Sequence, residues 1–225
     1  MNTSMRAAVA ALGLVSVTAV SAADISWALG PGFVGPAGHL GILTNGTLVE
    51  AVDTSELALS PVTVDPSGLN ISFERRPAPG LNGYYRTNQP VGSGDAIWDE
   101  IVTTTQWRGT DGTVDGFLTG LTVGSTYQLQ LFATDLRDCC SARQQRFADG
   151  NGNASDWISQ NGSASVVGTF IADAGSQALR FEGNESRVLD AWVLREIAAP
   201  VPEPGTWLLW GLGLAGLTAA RYQRR

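Results

Sequence analysis

The sequence has no lysine, a single histidine and only two cysteines, and each shortage excludes a class of site. One histidine, His39, cannot build a histidine-rich zinc centre, and Cys139 and Cys140 are adjacent rather than spaced as a pair of metal ligands. The chain also lacks a G-x-S-x-G elbow, an H-E-x-x-H helix and a Walker loop. We therefore predict that the protein is not an enzyme. The alternative is a glycoside-acting enzyme that uses a carboxylate pair such as Asp99 and Glu100.

Positive charge is scarce in the body of the chain, residues 24–198. This body holds 10 arginines and 20 acidic residues, which gives a net charge of −10. Nucleic acids and anionic membranes attract basic surfaces, so neither is expected as a partner of the body. The charge suits a soluble exported domain or a domain that collects cations.

Residues 1–23 have the composition of a secretory signal peptide. Arg6 gives a small positive start, residues 7–20 are apolar and uncharged, and small residues follow. Small residues occupy the −3 and −1 positions of two successive candidate cleavage sites. We therefore predict cleavage after Ala22 or Ala23. A retained membrane anchor is the alternative. The remaining body of about 175 residues is long enough for one well-packed domain.

The last 25 residues contain three parts in a fixed order. Pro202, Glu203 and Pro204 form a short motif that stays extended, because proline fixes φ and lacks a backbone donor. The uncharged apolar run at 207–220 is shorter than the roughly 20 residues that cross a bilayer. A basic tail follows, and the positive-inside rule keeps such a tail in the cytoplasm. Its arginines are Arg221, Arg224 and Arg225. A plain membrane anchor or a buried core helix would leave the proline motif unexplained.

The segment 199–225 resembles the PEP-CTERM sorting signal of Gram-negative envelope proteins, which an exosortase recognises. The resemblance implies that residues 202–204 are the recognition motif. It also implies that a hydrophobic helix at 207–220 occupies the inner membrane transiently. Cleavage near the motif would then transfer the protein to the cell envelope, the outer surface or the extracellular matrix. The expected partners are the exosortase and the export machinery.

The body is predicted to be an all-β domain. Tyr127, Leu129 and Leu131 alternate with polar residues, which is typical of a half-buried antiparallel strand. The same alternation recurs between turn residues in other short runs, at 69–74, 166–170, 179–182 and 188–194. One short helix is expected at 95–103. The predicted architecture is an antiparallel jelly-roll-like β-sandwich over 24–198, flanked by the signal helix and the C-terminal hydrophobic helix.

One acidic residue falls on a predicted apolar face. Asp190 stands an even number of residues from Val188, Trp192 and Leu194, so in a strand it would point to the same face as they do. We therefore expect it to be buried and paired with a backbone donor. The other residues expected in the core come from the alternating strands. They are Tyr127, Leu129, Leu131, Phe170 and Phe181.

The stretches 116–137 and 166–197 resemble a β-sandwich domain that recurs in exported bacterial proteins. That domain is similar to galactose-binding-like and carbohydrate-binding jelly rolls, and the stretch 41–52 fits its opening strands. A competing pattern is the fibronectin type III domain, because Leu121 to Tyr127 fits a tyrosine corner. Such a domain has about 100 residues, and the body is too long for one copy.

Aromatic residues outside the periodic strands are the candidate ligand contacts. Aromatic rings bind the apolar faces of sugars, and neighbouring carboxylates or amides bind their hydroxyls. The candidates are Tyr84, Tyr85, Trp98, Trp107 and Trp157. The alternative is that these rings fill the edge of the sandwich.

A weak calcium motif follows the predicted strands. Its oxygen-bearing residues are Asp149, Asn151, Asn153 and Asp156. The first three match positions 1, 3 and 5 of a calcium loop, but Ala154 replaces the glycine and Gln160 replaces the bidentate glutamate. A turn-rich hairpin without metal is the alternative, and no other cofactor is predicted.

The adjacent cysteines leave three possibilities open. An oxidising envelope allows a vicinal disulfide. Adjacent Cα atoms, however, are about 3.8 Å apart across a trans peptide, below the usual disulfide minimum of about 4.4 Å. Free thiols or an intermolecular bridge are the alternatives.

Two functions follow from these observations. The first is an exported envelope or matrix protein with a structural, non-catalytic role. The second is a carbohydrate-binding module that holds exopolysaccharide.

Overall fold

A computed structural model describes residues 22–55, 60–109 and 112–198, with the side chains of 112–116 and 138 excepted. Residues 1–21 of the predicted signal peptide, which spans 1–23, and the sorting segment 199–225 lie outside the described residues. No helix within the described ranges is long and apolar enough to cross a membrane.

The described residues form fourteen strands, one α-helix and two short 3-10 turns. The strands are β1 (Ser26–Gly32), β2 (Thr47–Asp53), β3 (Val62–Val64), β4 (Ile71–Arg75), β5 (Gly83–Arg86), β6 (Thr104–Arg108), β7 (Gly112–Thr119), β8 (Thr126–Phe132), β9 (Gln144–Ala148), β10 (Ile158–Ser159), β11 (Ala164–Ile171), β12 (Ser176–Gly183), β13 (Arg187–Leu189) and β14 (Ala191–Ile197). The helix α1 spans Ala96–Thr103, and the 3-10 turns span Gly38–Gly41 and Asp138–Cys140.

The strands form three sheets. The largest has the order β1-β11-β8-β14-β2-β4-β3, the second β10-β9-β12-β7, and the third β13-β6-β5. Every pairing is antiparallel except that of β2 with β4. The predicted all-β class and antiparallel sandwich are therefore confirmed. Fourteen strands exceed the seven or nine of an immunoglobulin-type sandwich, so the fibronectin alternative does not describe this body.

The larger core lies between the seven-stranded sheet and the other two sheets. Strand β14 pairs with β8 so that Trp192 faces Leu131 and Leu194 faces Leu129, which puts all four side chains on one face. Phe147 of β9 and Phe181 of β12 close this core from the second sheet. The alternation read from the sequence therefore predicted the inward-facing residues correctly.

The second core covers the opposite face of the seven-stranded sheet with helix α1. Asp95 caps this helix, because its carboxylate accepts hydrogen bonds from the backbone N–H groups of Ile97 (2.9 Å) and Trp98 (3.0 Å). Trp98 packs against Phe132 with ring centroids 4.9 Å apart, and its indole N–H donates to the carbonyl of Phe33. Trp98 is fully buried. The prediction that Trp98 contacts a ligand is wrong, because its ring is buried in the second core, where it covers this face of the seven-stranded sheet.

The run Val188 to Leu194 is not one strand. It breaks at Asp190 into β13 and β14, which belong to different sheets. Asp190 is nevertheless buried and accepts a hydrogen bond from the backbone N–H of Thr134 (2.8 Å), as predicted. Leu69 does not continue the β4 pattern, since it is 56% exposed and precedes Asn70, whose φ is 47°.

Two predicted local features are present. The Tyr127 hydroxyl accepts a hydrogen bond from the backbone N–H of Thr122 (2.9 Å), the contact of a tyrosine corner, although the sandwich around it is larger than a fibronectin domain. Cys139 and Cys140 are joined by a vicinal disulfide, with Cα atoms 3.8 Å apart. Of the three possibilities for the cysteines, the structure therefore shows the first.

Candidate functional site

The outer face of β9 and β12 carries two arginines that share one glutamate. Antiparallel pairing places Arg146 opposite Glu182 and Ala148 opposite Arg180. The Nε of Arg146 lies 2.6 Å from one carboxylate oxygen of Glu182, and the Nε of Arg180 lies 2.8 Å from the other. Phe147 and Phe181 point the other way into the core, so the alternation of these strands fixes the charged groups outside.

A hollow lies beside these charges. It has a volume of 170 Å³, and its charged lining residues are Arg146, Arg180, Glu182 and Asp149. The small residues Ala148, Gly150 and Ala154 complete the lining. Gly152 also lines it, with a φ of 98° and no atom within 4 Å of where a Cβ would stand. Small residues thus keep the space between the arginines open.

Trp157 stands next to the hollow. Trp157 is 45% exposed, and the guanidinium of Arg146 lies 4.9 Å from the centroid of its indole ring. A guanidinium over an indole is a cation–π contact, which holds both groups in place. The face therefore combines an aromatic surface, two cations and two carboxylates within one area. Such a combination can stack a sugar ring and bind its polar groups.

The other aromatic candidates lie elsewhere, around strands β5 and β6. Trp107 is 38% exposed and packs its indole on Gly83, a position where a Cβ would clash with the ring. Tyr84 accepts a hydrogen bond from the Gln106 amide (3.2 Å). The structure therefore does not bring Trp107 and Trp157 into one site.

Tyr85 is tied to the interior. Its hydroxyl donates to the carbonyl of Thr134 (3.3 Å), and the guanidinium of Arg137 lies 3.8 Å from its ring centroid. Burial raises the pKa of the Tyr85 phenol well above its ordinary value, and the nearby carboxyl groups of Asp190 and Asp135 act in the same direction. Tyr85 thus joins the third sheet to the larger core rather than presenting a free ring.

Three fully buried carboxylates lie where strands of the seven-stranded sheet begin or end. Asp53 ends β2 and binds the Arg75 guanidinium, with Nε 3.0 Å from Oδ2. Asp135 follows β8 and binds Arg137 (2.8 Å). Asp190 precedes β14 and contacts the Thr105 hydroxyl (2.5 Å). Each carboxylate has partners within the protein, so we assign all three to the fold.

The environments of these carboxylates separate their pKa values. Burial raises the pKa of Asp190 well above its ordinary value, and hydrogen bonds from Thr105 and Thr134 only partly oppose this. Burial also raises the pKa of Asp53. Burial of Asp135 acts in the same direction, but hydrogen bonds from Arg137 and its positive charge outweigh it and lower the pKa.

The predicted calcium loop has another role in the structure, since it holds residues 22–25. The Asp149 carboxylate accepts hydrogen bonds from the backbone N–H groups of Ile25 (2.9 Å), Asn151 (2.8 Å) and Asn153 (3.0 Å). These bonds outweigh burial and lower the pKa of Asp149. The Asn151 amide donates to Asp24 (2.7 Å) and to the carbonyl of Ala22.

Ala23 completes this N-terminal clamp, which we define as Asp149, Asn151, Asn153 and Gln177 around residues 22–25. Its N–H donates to the Gln177 side-chain oxygen (2.9 Å), and its carbonyl accepts from the Gln177 amide (3.2 Å). Asp156 points to solvent outside the clamp. Over the part of the chain that the structure describes, no group of three or more His, Cys, Asp or Glu side chains is arranged to hold a metal ion.

Sequence reasoning did not single out Arg146, Arg180 and Glu182. The alternation around Leu179 and Phe181 already placed Arg180 and Glu182 on the outer face of their strand. The sequence did not show that Arg146 lies beside Glu182, because the pairing of β12 with β9 joins residues more than 30 positions apart.

Comparison with solved structures finds partial matches at low identity. A β-glucuronidase 2 of Bacteroides uniformis matches with a TM-score of 0.48 and 16% identity over 66% of this chain and 18% of its own. The ANXUR2 extracellular domain of Arabidopsis thaliana matches with 0.45 and 11% over 70% and 51%. The CBM22-1 xylan-binding domain of Paenibacillus barcinonensis Xyn10C matches with 0.38 and 12% over 70% and 99%. The chain thus spans about a fifth of the glucuronidase and half of the ANXUR2 domain.

Comparison by sequence points to the C-terminus. No curated protein matches the chain. The family model of the PEP-CTERM protein-sorting motif matches residues 200–225. This match contains the proline motif, the apolar run and the basic tail that the sequence predicted to act together. Residues 200–225 are therefore a PEP-CTERM protein-sorting motif, the recognition signal of exosortase, and they mark an exported protein with a C-terminal membrane-anchoring signal.

Proposed function

We propose that the protein is a structural, non-catalytic component of the cell envelope or extracellular matrix, delivered there through its C-terminal signal. The observation that carries this proposal is the PEP-CTERM motif at 200–225, joined to an acidic body. Residues 207–220 would lodge in the inner membrane, with the tail arginines on the cytoplasmic side. The exosortase would then find Pro202, Glu203 and Pro204 extended outside the membrane.

Substitution of the motif tests this proposal. Glu203→Ala, or Ala at both Pro202 and Pro204, should leave export intact and stop processing, so that full-length protein accumulates in the inner membrane. Glu196→Ala removes the same charge just before the motif and serves as the control. The mass and the membrane fraction of each variant are compared in a host that has its exosortase. If the motif variants are trimmed like the parent, the segment is a plain anchor and the proposal fails.

A second candidate function is carbohydrate binding by the body. The observation that favours it is the half-exposed Trp157 beside Arg146 and the open hollow on the outer face of β9 and β12. Exposed indole faces bind the apolar side of sugar rings, and charged groups near them bind polar substituents. A matrix protein with such a face would hold polysaccharide in place without cleaving it.

A glycan array with the processed protein tests this second function. Trp157→Ala should lower glycan retention without lowering the melting temperature, because its ring lies outside both cores. Trp107→Ala tests the other half-exposed indole in the same assay. Loss of stability without loss of retention would mean that the ring is structural, and absence of any retained glycan by the parent would remove this function.

A further inference from the structure

The outer face of β9 and β12 carries two arginines beside two carboxylates, Glu182 and Asp149, and the oxygens of Asp149 already accept hydrogen bonds from N–H groups of the N-terminal clamp. Arg146 and Arg180 share the single carboxylate of Glu182, and each uses its Nε for this contact. Within the described ranges, no hydrogen bond occupies the η nitrogens of either arginine. The ion pairs therefore fix the two guanidinium groups and leave most of their donors available.

Both arginines, Arg146 and Arg180, belong to the lining of the hollow. Ala148, Ala154 and Gly152 keep it free of larger side chains. The guanidinium group is a rigid planar fork that binds a carboxylate through two parallel hydrogen bonds. Two such forks beside one cavity favour an anionic group over a neutral hydroxyl, because neither fork contains an acceptor for a hydroxyl proton.

Trp157 adds the second requirement of the ligand. Arg146 lies between the hollow and the indole, since it lines the first and packs 4.9 Å from the centroid of the second. A ligand that fills the hollow and reaches the indole must combine an anion with an apolar ring face.

From this arrangement we infer that the face binds a uronate unit of an acidic polysaccharide. The carboxylate of the sugar takes the η nitrogens of Arg180 and Arg146, and the pyranose ring packs towards Trp157. This inference rests on the proposed carbohydrate-binding function and names its ligand class. The net charge of −10 on the body repels polyanions at long range, so binding must come from this local face.

The test is titration calorimetry of the processed protein with oligogalacturonate and with a neutral glucan of equal length. The parent should bind oligogalacturonate. Arg180→Gln should weaken this binding roughly tenfold to a hundredfold, because it removes charge-assisted hydrogen bonds. Arg180→Lys keeps the charge but loses the fork, so it should not restore binding fully. Arg86→Gln, an exposed arginine on β5, has the same net charge as Arg180→Gln and should bind like the parent.

The outcomes separate the ligand class from the function itself. Binding of the neutral glucan alone overturns the uronate inference and leaves carbohydrate binding intact. Binding of neither ligand overturns both. Equal losses in Arg180→Gln and Arg86→Gln would show that overall charge, and not this face, governs binding. If a sulfated glucan binds as tightly as oligogalacturonate, the two guanidinium groups recognise negative charge in general rather than a carboxylate, and the inference is also overturned.

Discussion

Asp190→Asn should stabilise the protein at neutral pH, although it removes a buried acid. The Asp190 carboxyl contacts the Thr105 hydroxyl at 2.5 Å, and that hydroxyl lies 3.1 Å from the carbonyl of Thr134. Since burial raises the pKa of Asp190 well above its ordinary value, the folded protein retains the Asp190 proton to a higher pH than the unfolded chain does. The Thr105 hydroxyl donates to the ionised carboxylate; when Asp190 is protonated, its own O–H can donate to the Thr105 oxygen while the Thr105 hydroxyl donates to the carbonyl of Thr134. An asparagine amide has a donor and an acceptor in the same two places.

The magnitude follows from proton linkage. The unfolded chain releases the Asp190 proton near its ordinary pKa of about 3.9, whereas the folded chain retains it to a higher pH. The stabilisation is fully present below the unfolded pKa and is lost as the pH rises to the folded pKa. One proton corresponds to about 1.4 kcal/mol per pH unit in this window. Asparagine does not ionise, so the unfolding free energy of the variant does not fall in this way. The difference between the variant and the parent therefore grows by about 1.4 kcal/mol for each pH unit above pH 4, up to the folded pKa.

Urea unfolding of both proteins at several values between pH 4 and pH 8 measures the difference. The stability of Asp190→Asn minus that of the parent should rise with pH and level off at the folded pKa. Asp156→Asn removes the same charge from an exposed position and controls for the net charge. A difference that stays flat, or a variant that is less stable throughout, would show that Asp190 is ionised in the fold and would refute the reasoning.

Three further predictions use the same unfolding assay. Tyr127→Phe should cost about 1 kcal/mol, because only the bond from the Thr122 N–H is lost, whereas Tyr127→Ala should cost roughly 3 to 5 kcal/mol through the lost ring. Equal costs would mean that the ring packing contributes nothing. Trp98→Ala should cost roughly 3 to 5 kcal/mol, and a near-neutral result would contradict its place in the second core. Arg137→Gln should destabilise at pH 7 and less in acid, because the lowered pKa of Asp135 gives stability that is lost as the pH falls; a constant loss would argue against this ion pair.

Local patterns predicted the parts of the fold that depend on neighbours in sequence. The alternation of Leu129 and Leu131 predicted the inner face of β8, and the short helix expected at 95–103 is α1. The same patterns did not separate a ring that faces a ligand from a ring that covers a sheet, so Trp98 was misassigned. Whether a helix face is covered depends on which sheet lies beneath it, and that is a long-range property.

The candidate site shows the same limit. Trp157 was recognised because it stands outside the strands, but Arg146 and Arg180 each read as an ordinary outward-facing charge. Only the register between β9 and β12 makes them neighbours. In the calcium loop, oxygen-bearing side chains were correctly noticed, yet Asp149 uses its oxygens for backbone N–H groups. The sequence showed which chemical groups these side chains carry, but it did not show which groups they contact in the fold.

The N-terminal clamp has a consequence for the predicted cleavage after Ala22 or Ala23. Ala22 and Ala23 are buried in the folded body, and a peptidase requires an extended, accessible chain around the bond that it cuts. The proposed cleavage must therefore precede closure of the Asp149 loop and of Gln177 on β12, which come from the second half of the chain. Cleavage after Ala22 keeps both bonds between Ala23 and Gln177, whereas cleavage after Ala23 removes them. If the predicted leader is removed, its removal comes first, and the clamp then binds the new chain start.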